Sequence, residues 1–540
     1  MISLYHHSED RFSRYGIQHF IERTGIPVEI NKPSPSGIDI VYGGTTNGNF
    51  VIALEENEIH DTVCGRISLH SETIPVCEIP RETGPGDEVI AYFESGTSRY
   101  PCVTRTKQGI SIGIDIFRET GCLLAGHLDA IRPSLDSTAK NELESRPVAD
   151  SLENIVFNAV LAGCHDRHIP LIRKSCWPEG KKFAVCLTHD VDELRKTYQW
   201  ISRPLRFLLR RDFSGFKGQV SSFMQKIKGK EPYYTYHDII SIEHKLGVKS
   251  TYFILKESGS ASLFSRKTWY LYGRNRSLQS PEMKALILLL KENGDEIGIH
   301  GSYFSYKNPV LLNEETRELE HILHETVTGT RQHNLNLEVP ATWNHQLSAG
   351  LRYDTTLGFN NTIGFRWGTA FPFFPNTGNE PLPLLEIPLI IMDICLESRS
   401  DKMGDCLRTA DEVKRVQGVL TLLWHPPIFN PREYPDARDM YIALNQYCKE
   451  NGAWTARARD IYEWLSLRKQ QTFSVVCRGS LYSIVPTAPG PDCYFTLYPP
   501  PGTECTIHSG NAEVIRKDGE CVYIKTHNLQ KNDEIIVGFT

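Results

Sequence analysis

Residues 188–192, Thr-His-Asp-Val-Asp, set two carboxylates and an imidazole directly after the apolar run 183–187. That run reads as a buried strand, and α/β folds carry their chemistry at the C-terminal ends of strands. Asp190 and Asp192 are two apart, so in extended backbone both project to one side and Val191 to the other. Two carboxylates held together repel unless a cation or a proton lies between them. One can then bind a metal while the other takes a proton from metal-bound water. The competing reading of these five residues is an Asp-rich turn that caps a helix at 193–198.

Further chemistry-bearing residues follow other apolar runs. His300 ends the run 296–299 and can be a metal ligand as a neutral imidazole; Gly301 after it permits a tight turn. Arg331 can hold a base carboxylate in its ionised form by a charge-assisted pair, and His333 can supply another metal ligand. Asp354 can orient an imidazole. Arg366, in the segment 364–368 with Trp367, can bind substrate or pair with an acid. The loop 371–375, Phe-Pro-Phe-Phe-Pro, suits a sugar-stacking rim or ordinary packing. His425 ends the apolar run 419–424 and can give a proton to a leaving amine.

The elements that must position these residues alternate. Strands are expected at 183–187, 250–255 and 296–299, with helices near 236–246, 281–293 and 313–327, and later apolar runs at 385–392 and 419–424. Such alternation implies a parallel sheet or barrel. Before it, 1–135 reads as a small α/β domain (helix 11–24, strands 50–54 and 88–93), and 136–182 as a linker with a lead-in helix at 152–162. The barrel is expected over 183–467. After it, 471–540 reads as a small all-β module, with short strands at 473–477, 494–497, 521–525 and 534–537.

The order of these segments resembles the polysaccharide deacetylase family, the NodB-homology proteins of carbohydrate esterase family 4, in the branch whose first motif reads THDVD. The resemblance implies a distorted (β/α) barrel and hydrolysis of an N-acetyl group. It implies Asp190 as base, Asp192 and His300 as metal ligands, Arg331 beside the base, Asp354 behind the acid, and His425 in the final Leu-x-x-His motif at 422–425. It also implies a divalent metal, zinc first, with cobalt, manganese or nickel as alternatives. The family's second histidine is replaced here by Phe304. His333 is proposed to fill that ligand position; His189 competes, but its spacing to Asp190 points it away. The backbone N–H of Tyr303 is expected at the oxyanion, with Tyr303, Arg366 and Trp367 near substrate. The rival readings are a carbohydrate-binding protein on a decayed deacetylase fold and a different C–N hydrolase on the same barrel.

Composition bounds the partners. The 540 residues carry a formal net charge of −6, which argues against coating nucleic acid. No apolar run of about 18 residues suggests a membrane span. The polar start, 1–14, lacks the apolar core of a secretory signal, which favours the cytoplasm and an N-acetylated sugar precursor of surface polysaccharide as substrate. The fourteen cysteines are scattered, without a CxxC pair, and read as small core residues. The oligomeric state is left open. One segment, 195–230, holds ten Lys or Arg against the single acid Asp212, interleaved with aromatics and Leu. Its simpler reading is a solvated lid whose apolar side covers the barrel. The alternative is an amphipathic surface that lies on anionic lipid or polymer.

Overall fold

The computed structural model describes residues 2–540 apart from 35, 45–49, 70–71, 85, 259–270, 272, 377, 379, 489 and 520. Its centre is the strand Phe183–Val191, buried along its whole length. One edge pairs in parallel with Val419–Leu423. The other pairs first with Ala453–Ala456 and then, from Thr188 onward, with Thr251–Leu255. The sheet continues through Glu296–Gly301, Gly329–Gln332, Tyr353–Asp354 and Leu385–Glu386, and Ile391–Met392 flanks Val419–Leu423 on the opposite side. Every one of these pairings is parallel. The result is the distorted (β/α) barrel expected from the sequence, left open between Leu385–Glu386 and Ile391–Met392.

Both faces of this sheet are covered, which is why its strands read as continuous apolar runs. On Phe183–Val191, Val185, Leu187 and Val191 pack outward with Tyr252, Ile254, Ile297 and Ile299 against the helices. Ala184 and Cys186 face the other way and pack with Phe253, Tyr353 and Val419. This inner cluster fills the lower part of the barrel. The same inward series continues upward into Thr188 and Asp190, so the two-residue period that builds the core also delivers the carboxylate.

The N-terminal region forms a nine-stranded mixed sheet among the described residues. Its helix Arg11–Thr24 starts at Asp10, which accepts from the Ser13 amide at 2.8 Å, and stops at Gly25, whose φ of 70° suits glycine. The segment 136–182 does not behave as a linker. The helix Val148–Asp166 buries Val148, Leu152, Val156 and Val160 in the same core as Ile40, Ile52 and Val76 of the first sheet. The strand Leu171–Lys174 pairs antiparallel with Cys493–Tyr498. It thereby joins one of two four-stranded sheets of the C-terminal β module. Local pattern hid both facts, because a helix and a strand that each need a distant partner look amphipathic and short on their own. All fourteen cysteines are unpaired, and no described helix is long and apolar enough to cross a membrane.

The insert is a helical hairpin, Gln199–Leu209 and Phe213–Ile227. Trp200 meets Phe223 edge-on at 5.9 Å, and Phe207 lies against Gly215, so the two helices run antiparallel. The expectation that its apolar side covers the barrel does not hold. Ile201, Leu205, Leu209, Phe213 and Ile227 are exposed, because the contacts that fix the hairpin to the barrel are polar. Residues 193–198 are not helical; the helix starts at Gln199.

The N-terminal region is held to the barrel by an apolar cluster, Tyr15 and Leu124 with Trp343, Trp367 and Phe373, and by buried charge. Glu153 lies between His19 and Arg23, all three buried. Arg23 also donates to the carbonyl of Val416 in the barrel at 3.3 Å. Removing one partner of a buried pair leaves the other desolvated, at a cost of about 3–5 kcal/mol. Glu153→Ala is therefore expected to lower the unfolding free energy by about that amount, measured by denaturant titration, whereas a change below about 1 kcal/mol would contradict this account.

Candidate active site

The site collects residues that immediately end, or follow within two positions, six parallel strands: Asp190 and Asp192, Glu257, His300, Arg331 and His333, Asp393, and His425. A parallel sheet places all these termini at one end, so residues as far apart in sequence as Asp190 and His425 share one cleft.

Asp190 and Arg331 form its base. Arg331 is fully buried, with its guanidinium 4.8 Å from the Phe253 ring centre. Its Nη1 donates to Thr188 Oγ1 at 2.8 Å and to Asp190 Oδ1 at 2.9 Å, and its Nε donates to the carbonyl of Thr355. Burial alone would raise the Asp190 pKa. The charges of Arg331, His300 and His425 outweigh burial and the repulsion of Asp192, so the carboxyl is held below its ordinary range. A carboxylate that stays ionised while buried is a competent proton acceptor.

Asp192, His300 and His333 converge beside it. Their donor atoms all lie within 4.8 Å of one another, and all three residues are buried. His300 Nε2 is 3.3 Å and His333 Nε2 4.0 Å from Asp192 Oδ1. Ligands about 2.1 Å from a tetrahedral cation stand about 3.4 Å apart, so the trio fits a small divalent ion. Each histidine has its far nitrogen occupied. His300 Nδ1 bonds the Arg331 carbonyl at 2.8 Å, and His333 Nδ1 bonds Glu257 Oε2 at 3.1 Å. Both partners are acceptors, so each Nδ1 carries the proton and each Nε2 turns its lone pair to the centre. Burial lowers the His333 pKa. At His300 burial acts the same way, but Asp190 and Asp192 override it and raise the pKa. A cation held there would compete with a proton for His300 Nε2.

His425 stands across the cleft. Its Nδ1 is 2.8 Å from Asp393 Oδ1, and its backbone N–H donates to Asp393 Oδ2 at 2.5 Å. Burial would lower its pKa, but Asp393, then Asp192 and Asp190, push it up to about 9. The ring is therefore a cation at neutral pH, with Nε2 left for the cleft. The cleft itself encloses about 220 Å³ and is lined by Asp190, Asp192, His300, His333 and His425 together with Tyr198, Arg203, Tyr434 and Ile394.

Several expectations change. The carboxylate behind His425 is Asp393, not Asp354. Asp354 lies within the barrel, bonded to Thr356, whose hydroxyl accepts from the Gln332 amide; it braces the Arg331 strand. Arg366 and Trp367 do not line the cleft. Both bond Asp129 of the N-terminal region, Arg366 Nη2 at 2.9 Å and Trp367 Nε1 at 2.9 Å. Phe371 and Phe373 are buried against Trp177 and Trp367, which is packing rather than a sugar rim. The Tyr303 N–H donates to Glu257 Oε2 at 3.2 Å, so it does not serve an oxyanion. Gly301 is still strand rather than a turn, and a Cβ there would press on the end of the Gln332 side chain, 2.3 Å from Oε1. Phe304 packs on Tyr303, and it is His333 that stands beside Asp192 and His300. His189 points away, bonded to the Trp424 carbonyl and to Glu243.

Three residues escaped the sequence reading: Glu257, Asp393 and Arg274. Glu257 and Asp393 follow strand ends just as the recognised residues do, and that position is the signal that could have found them. Arg274 comes from a loop, with its Nη1 3.0 Å from Asp192 Oδ2. The neighbouring Asn275 amide donates to the Asp192 carbonyl, which fixes the backbone of the first motif.

No protein-family model matches the sequence, and no curated protein does. Similar solved structures include a Mycobacterium smegmatis protein assigned as a polysaccharide deacetylase (16% identity, TM-score 0.37, 56% of this chain and 97% of that one). Another is the catalytic domain of a peptidoglycan N-acetylglucosamine deacetylase from Eubacterium rectale (12%, TM-score 0.26, 53% and 91%). A third is a carbohydrate esterase family 4 pseudoenzyme from Bacillus anthracis (13%, TM-score 0.26, 53% and 66%). What the site can do follows from its own geometry.

The arrangement makes metal binding directly measurable. Calorimetric titration of metal-stripped protein with zinc is expected to show one site, lost in His300→Ala and in His333→Ala. Glu257→Gln is expected to weaken it by about 10–100-fold, as for other residues that orient a ligand. Undiminished binding in the two His variants would remove these residues as ligands.

Proposed function

We propose that this chain is a metal-dependent hydrolase that removes the N-acetyl group of an amino sugar. The supporting observation is the division of labour across one cleft: an ionised Asp190 held by Arg331 on one side, a protonated His425 held by Asp393 on the other, and an Asp-His-His trio beside them. A hydrolysed amide needs one group to take a proton from water and a second to give one to the amine, with pKa values set apart by their surroundings. Here the Asp190 carboxyl is kept below its ordinary range and the His425 imidazole above it.

When bound at Asp192, His300 and His333, a divalent cation supplies Lewis acidity, polarising the amide carbonyl and lowering the pKa of water. Asp190 accepts the proton of the attacking water. Arg331 keeps Asp190 anionic and fixes its direction through the bond it also makes to Thr188. His425 donates its Nε2 proton to the amine as the C–N bond breaks, while Asp393 retains Nδ1–H and stabilises the imidazolium until transfer. Arg274 pairs with the second oxygen of Asp192 and holds that residue ionised. The lining by Tyr198, Tyr434 and Ile394 offers aromatic and apolar surface for a sugar ring. The substrate class we favour is an N-acetylated precursor in surface-polysaccharide assembly.

Turnover is read as acetate release from N-acetyl sugar nucleotides and chito-oligomers, with and without zinc. His425→Gln is expected to lower kcat by about 10²–10⁴ with an unchanged melting temperature. Asp190→Asn is expected to lose activity and also stability, since it leaves Arg331 buried without its counter-ion. Wild-type turnover in His425→Gln, or no acetate release from any substrate at saturating zinc, would overturn the assignment.

The pH profile is a separate test. The acid must be protonated, so kcat/KM is expected to fall as pH rises through the His425 pKa, near 9. Asp393→Asn removes the main stabiliser of the imidazolium and is expected to move this alkaline limb downward, towards the ordinary histidine value of about 6.5. An alkaline limb that stays in place in Asp393→Asn would exclude His425 as the titrating acid.

A further inference from the structure

The hairpin Gln199–Leu209 and Phe213–Ile227 has a surface that neither the barrel nor the proposed chemistry uses. Leu209, Ile201, Phe213 and Ile227 are 78%, 76%, 73% and 71% exposed, and Leu205, Phe223 and Met224 are more than half exposed. Their spacing is helical: 201, 205 and 209 on the first helix, and 213, 220, 224 and 227 on the second. Scattered single apolar residues on a surface are ordinary, but a cluster on two adjacent helices marks a contact surface. Around it the segment 195–230 carries ten Lys or Arg against Asp212 alone, in a chain whose net charge is −6. Arg206, Arg210, Arg211, Lys217, Lys228 and Lys230 are exposed and form no ion pair among the described residues.

We propose that this hairpin lies on an anionic lipid bilayer and holds the mouth of the cleft at the headgroup layer. Exposed apolar side chains flanked by unpaired cations are what an interfacial helix presents: the former enter the acyl boundary and the latter meet lipid phosphates. A second copy of this chain is disfavoured as occupant, because a two-fold contact would set the same basic cluster against itself. An anionic polymer alone would leave the Leu, Ile and Phe side chains in water. No described helix is apolar and long enough to span, so the contact is peripheral.

The hairpin is joined firmly to the cleft. Lys196 and Glu433 form a fully buried ion pair at 2.6 Å, and Gln219 bonds both partners. Arg432 donates to Ser221 Oγ at 2.7 Å. A Cβ on Gly218 would lie 2.5 Å from the Arg432 carbonyl, so the second helix rides directly on this loop. That loop continues the chain from His425. From the other side, Tyr198, Gln199, Ser202, Arg203 and Arg206 line the cleft. One rigid body thus carries the bilayer-facing surface and part of the substrate entrance. Such placement suits a substrate held at the membrane by a lipid anchor.

The test is co-sedimentation of the full chain with vesicles, a measurement independent of any enzymatic activity. Binding is expected to phosphatidylglycerol-containing vesicles and not to pure phosphatidylcholine. It should weaken at least tenfold in Arg210→Glu/Arg211→Glu and in high salt. It should weaken at least as much in Leu209→Glu/Phe213→Glu. None of these residues lines the cleft, so soluble-substrate turnover and melting temperature should not change. Failure to bind anionic vesicles, or binding equal to neutral and anionic vesicles, would overturn the proposal. So would retention of binding in both variants, or sedimentation velocity showing a self-associated species that Leu209→Glu/Phe213→Glu dissolves without any vesicle binding by the wild type.

Discussion

A guanidinium buried in the barrel's interior is the constraint on which the site depends. Arg331 has no access to water, and its charge is tolerable only because Asp190, Thr188 and the Thr355 carbonyl surround it. Desolvating both ions costs several kcal/mol each, so the pair contributes little net stability over an apolar substitute. What it provides is a carboxylate with one ionisation state and one direction. The inner core below supports it: Phe253 gives the guanidinium a flat face at 4.8 Å, and Asp354, through Thr356, braces the strand that carries it.

The rest of the cleft follows from electrostatic balance. Asp190, Asp192, Glu257 and Asp393 bring four carboxylates close together. Arg331 and Arg274 answer two of them directly. Glu257 and Asp393 are answered by histidine N–H groups. The three histidines have different fates because their partners differ. Burial lowers the His333 pKa, Asp190 and Asp192 raise that of His300 against burial, and Asp393 raises that of His425. One residue type thus stands in three different electrostatic settings, and the distinction lies in the charged groups around each ring.

The surrounding regions bear on the barrel through a shared apolar cluster, in which Tyr15 and Leu124 pack with Trp343, Trp367 and Phe373, and through buried polar contacts. Glu153, His19 and Arg23 join the first sheet's helices to the barrel, and Arg366 with Trp367 meets Asp129. Lys196 and Glu433 do the same for the hairpin. Removing one partner of such a buried pair leaves the other desolvated, which makes these contacts costly to break.

The sequence by itself determined the strand–helix alternation, the all-β character of 471–540 and the first motif. Each of these rests on local periodicity: apolar runs for strands buried on both faces, and a two-residue repeat that turns Asp190 and Asp192 to one side. It also marked His300 and His425, because each ends an apolar run, and Arg331 and His333 through the order of segments that resembles the family's motifs. Tertiary structure alone decided which of these residues meet. Glu257 and Asp393 looked like loop acids until strands far apart in sequence placed them behind His333 and His425. Asp354, Arg366 and Trp367 carried suitable chemistry, but the register of their strands and the N-terminal region took them elsewhere. The helix at Val148–Asp166 and the exposed face of the hairpin were undecided for the same reason. A periodic pattern says that a face is apolar, and only packing says whether anything covers it.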